Sequence, residues 1–315
     1  MNTHPRADLL GPRGDDMTYA GELSFLRRAY TRDIQGADLV ISGIPFDMAT
    51  TFRPGTRLGP QAVRAASVQL AEIIERAFPF DIDPFAILAV ADYGDCVLDS
   101  GYPHHAAAAI EAHARNIIQS GATMLSIGGD HFVTYPLLRA HAEKYGPMSL
   151  IHFDAHVDTW EDDGQRIDHG SMFLRALREG LIVPEHSAQI GIRSFSERDH
   201  GFNVFNAPYV HSHGPQAVLE QVLEVVGDRP AYVTFDIDCL DPAFAPGTGT
   251  PVPGGLSTAQ ALHILRGLQP CKIIGMDVVE VAPAYDHAEI TALAAATIAH
   301  DLICMQAINK QNETR

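Results

Sequence analysis

Three short segments place carboxylates and imidazoles directly after apolar runs. They are Met124–His131 (MLSIGGDH), Leu150–Asp158 (LIHFDAHVD) and Tyr232–Asp241 (YVTFDIDCLD). In extended chain alternate side chains point the same way, so Asp154, His156 and Asp158 project together, as do Asp236 and Asp238. His131 follows Gly128-Gly129, where the missing side chains allow a tight turn. Four carboxylates and two imidazoles gathered in one place repel one another unless cations neutralise them. Two divalent metals bring +4 against the four aspartates. Oxygen and nitrogen donors without thiolate suit a fairly hard ion, manganese best. Two such ions sharing carboxylates activate water as hydroxide near neutral pH. The expected chemistry is metal-assisted hydrolysis.

Other residues read less specifically. His169, in Asp168-His169-Gly170, fits a proton shuttle, a hydrogen-bond donor near the metals or an ordinary loop histidine. Glu280 ends the run Ile274–Glu280 and fits either a receiver for a cation or a surface carboxylate. Asp277, Asp130 and Asp241 read as supporting residues. The remaining histidines, among them His104, His105, His113, His211 and His213, lack ligand spacing and read as surface groups. Competing motifs fail. There is no His-Glu-x-x-His, no Gly-x-Ser-x-Gly and no complete Gly-x-Gly-x-x-Gly, because Val252 stands where the third glycine belongs. Asp236-Ile-Asp238 imitates a calcium loop, but Asp241 occupies the position that needs glycine. It also imitates an aspartate-nucleophile phosphatase motif, which wants Thr or Val at Leu240 and leaves Asp154–Asp158 unexplained.

The elements that must position these residues follow from periodicity. Continuous apolar runs at 38–44, 86–91, 123–127, 149–153, 188–192, 231–235 and 272–281 read as parallel strands buried on both faces. Helical spacing occupies 60–77, 106–118, 135–143, 171–179, 216–226 and 290–306. Ser257-Thr258-Ala259-Gln260 is a capping box opening a helix to Leu268. Strands alternating with helices predict an α/β fold with a mainly parallel sheet. Residues 1–30 read as an N-terminal arm and 31–315 as one catalytic domain. Two Gly/Pro-rich loops, 45–60 and 242–255, follow strands, where open α/β sheets place their sites.

Composition narrows the partners. The 315 residues carry 22 Lys+Arg and 39 Asp+Glu, a formal charge of −17. That disfavours nucleic acid and anionic membranes and favours a cationic substrate. None of the three lysines (Lys144, Lys272, Lys310) precedes Ser or Thr, so there is no P-loop. The four cysteines form no C-x-x-C pair and read as reduced thiols of a cytoplasmic protein. No run approaches the roughly 18 uninterrupted apolar residues of a membrane span.

The three segments resemble the arginase/agmatinase family of ureohydrolases, whose marks are Gly-Gly-Asp-His, Asp-Ala-His-x-Asp and Ser/Thr-Phe-Asp-x-Asp-x-x-Asp-Pro. These stand at Gly128–His131, Asp154–Asp158 and Thr234–Pro242, and the resemblance runs from Asp38 to Ala307. The agmatinase branch is resembled at Pro45–Thr50, Asp168–Phe173, Asp241–Pro251 and Glu280–Asp286. The resemblance implies a three-layer α/β/α sandwich around an eight-stranded, mainly parallel sheet, assembled as a homotrimer or homohexamer. It implies two Mn2+ per subunit. His131, Asp154, Asp158 and Asp236 would hold one, and Asp154, His156, Asp236 and Asp238 the other. It further implies proton transfer by His169, with Asp158 assisting, and guanidinium binding by Glu280. The implied reaction is hydrolysis of agmatine to putrescine and urea, a step of polyamine biosynthesis. Thr159–Asp163 lacks the Asn- and Ser-containing stretch with which arginases hold an amino acid, so arginine fits poorly. Phe52 stands where agmatinases have a small residue and is expected to reshape the entrance. A guanidinobutyrase or another guanidino-acid hydrolase is the near alternative, with Arg53 or Arg57 as the cation for its carboxylate.

Overall fold

A computed structural model describes residues 5–10 and 17–313. Its strands are β1 (Ala29–Tyr30), β2 (Leu39–Ile44), β3 (Val90–Asp95), β4 (Thr123–Gly128), β5 (Ser149–Phe153), β6 (Ala188–Ile190), β7 (Asn203–Phe205), β8 (Pro230–Asp236) and β9 (Lys272–Val279). They form one sheet in the order β1-β3-β2-β4-β9-β8-β5-β6-β7, with every pairing parallel. The helices are α1 (Gly59–Leu70), α2 (Pro84–Ile87), α3 (Ala106–Gln119), α4 (Thr134–Tyr145), α5 (Met172–Arg178), α6 (Ala207–His213), α7 (Pro215–Val226), α8 (Thr258–Gly267) and α9 (Ile290–Glu313).

The central strands are buried along all but their first residues, which is why they read as unbroken apolar runs. Their side chains divide between two cores. Ile151, Phe153, Val233 and Phe235 join α1, α7, α8 and α9 on one face. Leu150, Tyr232 and Met124 join α3, α4 and α5 on the other. This is the expected three-layer sandwich. The capping box of α8 is present, with Ser257 and Gln260 each satisfying the other's backbone N–H.

Among the described residues the sheet has nine strands where eight were expected. The additions to the sequence reading, β1 and β7, are edge strands of two and three residues. Neither carries an apolar run, because an edge needs no burial on both sides. The strand expected at 86–91 begins at Val90 instead, because Asp83 caps a helical turn with Pro84 at its first position. The expected arm is not separate from the core over its last residues. Phe25 and Leu26 are fully buried, and the backbone N–H of Phe25 donates to Asp92 Oδ2 at 2.8 Å. Helix α9 is long and apolar enough to cross a membrane, yet 72% of its apolar window is buried, packed as a core helix against α1 and β9.

Candidate metal centre

β4, β9, β8 and β5 are neighbours in the middle of the sheet, and the six expected ligands and Glu280 lie at or just beyond their carboxyl ends. His131 follows β4, Glu280 follows β9, Asp236 closes β8 with Asp238 beyond it, and Asp154, His156 and Asp158 follow β5. Strict strand alternation is not what aligns them. β5 ends at Phe153, and residues 237–239 form a 3-10 turn in which Asp236 Oδ1 accepts the Asp238 N–H at 2.8 Å. Asp158 and Glu280 both hold positive φ (52° and 64°), uncommon for residues with a Cβ.

His131 Nδ1 lies 3.0 Å from Asp154 Oδ2, 3.1 Å from Asp158 Oδ2 and 3.1 Å from Asp236 Oδ2. It is buried and makes no aligned hydrogen bond. Its partner nitrogen accounts for this. Tyr232, Thr134 and Thr234 donate their hydroxyls to Asp277, Thr234 at 2.6 Å. Thr234 Oγ1 therefore accepts from His131 Nε2 at 2.9 Å, which leaves a lone pair on Nδ1 facing three carboxylates. Burial opposes a charge on the ring, but Asp154, Asp158 and Asp236 push it well above the usual imidazole range, so Nδ1 takes either a proton or a metal ion in its place. Asp277 thus fixes the ring of His131 through Thr234, the supporting role expected of it.

A second group lies beside the first. His156 Nδ1 stands 3.3 Å from Asp154 Oδ1 and 3.1 Å from Asp238 Oδ2. The two oxygens of Asp154 therefore face different groups, the geometry of a bridging carboxylate. Ligand-capable atoms cluster as His131, His152, Asp154 and Asp158, and as Asp154, His156 and Asp238, within 4.8 Å in each group. Asp236 reaches the first through its contact with His131. The sequence pattern does not single out His152, which stands two residues before Asp154 with its Nε2 2.7 Å from Asp154 Oδ2.

The charges call for cations. Burial and neighbouring aspartates push Asp236 well above the usual carboxylate range and raise Asp158. His156 loses hydration on burial, but Asp238 and Asp154 push it up to about 12. Divalent ions in these two groups relieve both anomalies.

His169 and Glu280 meet at the rim. His169 Nδ1 is 2.9 Å from Glu280 Oε1, and its Nε2 is 2.9 Å from Thr51 Oγ1. Burial opposes a charge on His169, but Glu280, Asp158 and Asp130 outweigh it and hold the ring up at about 9. Glu280 is 1% exposed, and its Oε2 has no partner among the described residues. A Cβ at Gly249 would lie 3.0 Å from that oxygen, so the glycine keeps the approach open. Both Gly/Pro-rich loops thus reach the site, one through Thr51 and the other through Gly249. Phe52, next to Thr51, is 68% exposed. Asp130 takes the N–H groups of Ala49 and Phe132, and Asp241 those of Ala243, Gly254 and Gly255. The surface reading of the remaining histidines fails for His141, His152 and His300, which are buried, and for His113. His113 is half-buried, with Nε2 2.7 Å from Ser42 Oγ.

Residues 37–305 match the model of the arginase family. The chain belongs to the arginase family. Family members depend on a binuclear metal centre, and the His/Asp groups described above suit one. An agmatinase of Chromobacterium violaceum is 59% identical over 290 residues, covering 91% of this chain and 89% of its own. The crystal structure of a hypothetical agmatinase from Burkholderia thailandensis superposes with a TM-score of 0.95 at 59% identity, covering 98% and 96%. Proclavaminate amidino hydrolase from Streptomyces clavuligerus gives 0.87 at 37%, covering 93% and 99%. Arg53 donates its backbone N–H to Gly249 O at 3.3 Å, and its guanidinium lies over the rings of Phe52 and Tyr285, 5.3 and 5.1 Å from their centroids.

Proposed function

We propose that this protein is a cytoplasmic, manganese-dependent hydrolase that converts agmatine and water to putrescine and urea. The single observation that carries the substrate class is Glu280 Oε2, a buried carboxylate oxygen without a partner among the described residues, beside a two-group metal site. A guanidinium supplies paired N–H donors for such an oxygen and neutralises its charge. His131, Asp154, Asp158 and Asp236 would hold one ion, and Asp154, His156, Asp236 and Asp238 the other. When bound, the ions supply Lewis acidity and lower the pKa of water. Glu280 orients the guanidinium. His169, charged at neutral pH and anchored by Glu280 and Thr51, is placed to give a proton to the departing amine, and Asp158, whose charge acts on that ring, can relay one. The −17 charge draws a dication inward. Four buried free thiols suit a reducing compartment. The family resemblance carries the expectation of a homotrimer or homohexamer.

A second reading, a guanidino-acid hydrolase, is favoured by Arg53. Its guanidinium is held by two aromatic faces at the rim and has no carboxylate partner among the described residues. Arg57 is not available for that role, because it pairs with Asp47. Urea release from agmatine and from 4-guanidinobutyrate with added manganese separates the two. The proposed reading expects kcat/KM for agmatine to be higher by at least tenfold, and the reverse order would establish the second.

A further inference from the structure

His152 stands within the first ligand group, yet its neighbours point to another role. The side-chain nitrogen of Gln189, on β6, donates to the Val157 carbonyl at 2.7 Å. A carbonyl can only accept, so that contact identifies which end of the amide faces inward. The same nitrogen lies 3.2 Å from His152 Nδ1. Its second hydrogen therefore points at Nδ1, which must be the bare nitrogen of the ring. The proton then sits on Nε2, 2.7 Å from Asp154 Oδ2. A protonated ring nitrogen has no lone pair for a metal.

All three side chains are sealed from solvent: His152 and Asp154 at 0% and Gln189 at 1% exposed. The ring is further fixed by Phe173, 4.6 Å away between centroids. Asp154 Oδ1 accepts the His156 N–H at 2.5 Å, so both of its oxygens are held.

We propose that His152 is a positioning residue and not a ligand: Gln189 sets its tautomer, and its Nε2–H holds Asp154 in the orientation that serves both metal groups. The inference concerns the metal site alone and stands whichever guanidino compound is the substrate. It separates His152 from His131, which has the same tautomer but turns its bare Nδ1 toward the carboxylates, whereas His152 turns its protonated Nε2 toward them. Thr234 takes the proton side of His131 and leaves Nδ1 bare, whereas Gln189 takes the bare side of His152.

The test is Mn2+ affinity and stoichiometry of the full chain by chelator competition, with circular dichroism to check the fold. His152→Gln keeps an N–H donor near the Nε2 position, and His152→Leu removes it. The positioning role predicts two ions per chain in both variants, with affinity within about threefold of wild type for His152→Gln and weakened roughly 10- to 100-fold for His152→Leu. Gln189→Glu replaces the donor with an acceptor, reverses the tautomer and should weaken binding to the same extent. Equal losses in His152→Gln and His152→Leu, or a drop to one ion, would make His152 a ligand. Unchanged affinity in His152→Leu would deny it any role. Normal Mn2+ binding without urea release from agmatine would overturn the proposed function and leave this inference standing.

Discussion

Glu280 Oε1 accepts the backbone N–H of His131 at 2.8 Å, across 149 positions of sequence. The residue proposed to grip the substrate is thereby tied to the turn that presents a metal-facing imidazole. Substrate position and metal position are set by one contact between the ends of β4 and β9. Glu280→Gln keeps an oxygen for that N–H and removes the charge. Its metal content should stay at the wild-type level, and kcat/KM should fall by about 1.5–3 kcal/mol, or roughly 10- to 150-fold. Loss of metal in this variant would mean that the carboxylate serves the ions and not the guanidinium.

His169 touches Glu280 and Thr51 but none of the proposed ligands by hydrogen bond. His169→Ala should therefore lower kcat by roughly 100-fold or more while metal content is unchanged. Steady-state kinetics alongside metal analysis checks this, and wild-type turnover at every pH would remove the proton-transfer role.

The turn before His131 leaves no room for a side chain. A Cβ at Gly129 would lie 1.7 Å from the Phe46 carbonyl oxygen, and Gly129 O accepts the Glu280 N–H at 2.8 Å. Gly129→Ala must move backbone on both sides. It should cost about 1–3 kcal/mol or more in stability and displace Glu280 as well. Thermal stability and kcat/KM should fall together; a variant of wild-type stability and activity would contradict the packing.

Much of the site was legible because its residues sit where apolar strands stop. Asp154, His156, Asp158, Asp236, Asp238 and His131 stand out in sequence because a cluster of like charge at the end of a buried run needs a counter-charge. Three things were not legible. The local path is one, since Asp158 and residues 237–239 leave extended geometry and still converge. Short edge strands such as β1 and β7 are another, because they carry no buried run. The third is the inner support. His152, Gln189 and Thr234 lie inside strands, where a polar residue is noticed only when its partner on the next strand is known. The registers that pair His152 with Gln189 and Thr234 with Asp277 are tertiary facts.

Acid should destabilise the fold through a buried histidine. Burial lowers His141 from an ordinary 6.5 to about 4, against a weaker opposing pull from the Leu137 carbonyl. Below pH 6.5 the unfolded chain binds this proton and the folded one does not, so folding loses stability as the pH falls from 6.5 towards 4. The loss from this residue reaches about 3 kcal/mol at the lower end. Urea denaturation of chelated protein at pH 7 and pH 4.5 measures it. His141→Leu should lose less on acidification than wild type; an equal loss would place the acid sensitivity elsewhere.

The central claim is that the paired His/Asp groups and Glu280 make a metal-dependent guanidino hydrolase selective for agmatine. The most direct measurement follows urea and putrescine together, from agmatine, with protein stripped by chelator and then reloaded with Mn2+. The account predicts no turnover in the stripped protein, recovery on reloading, and one putrescine for every urea. Undiminished turnover without metal, or no urea from the fully loaded enzyme, would contradict it.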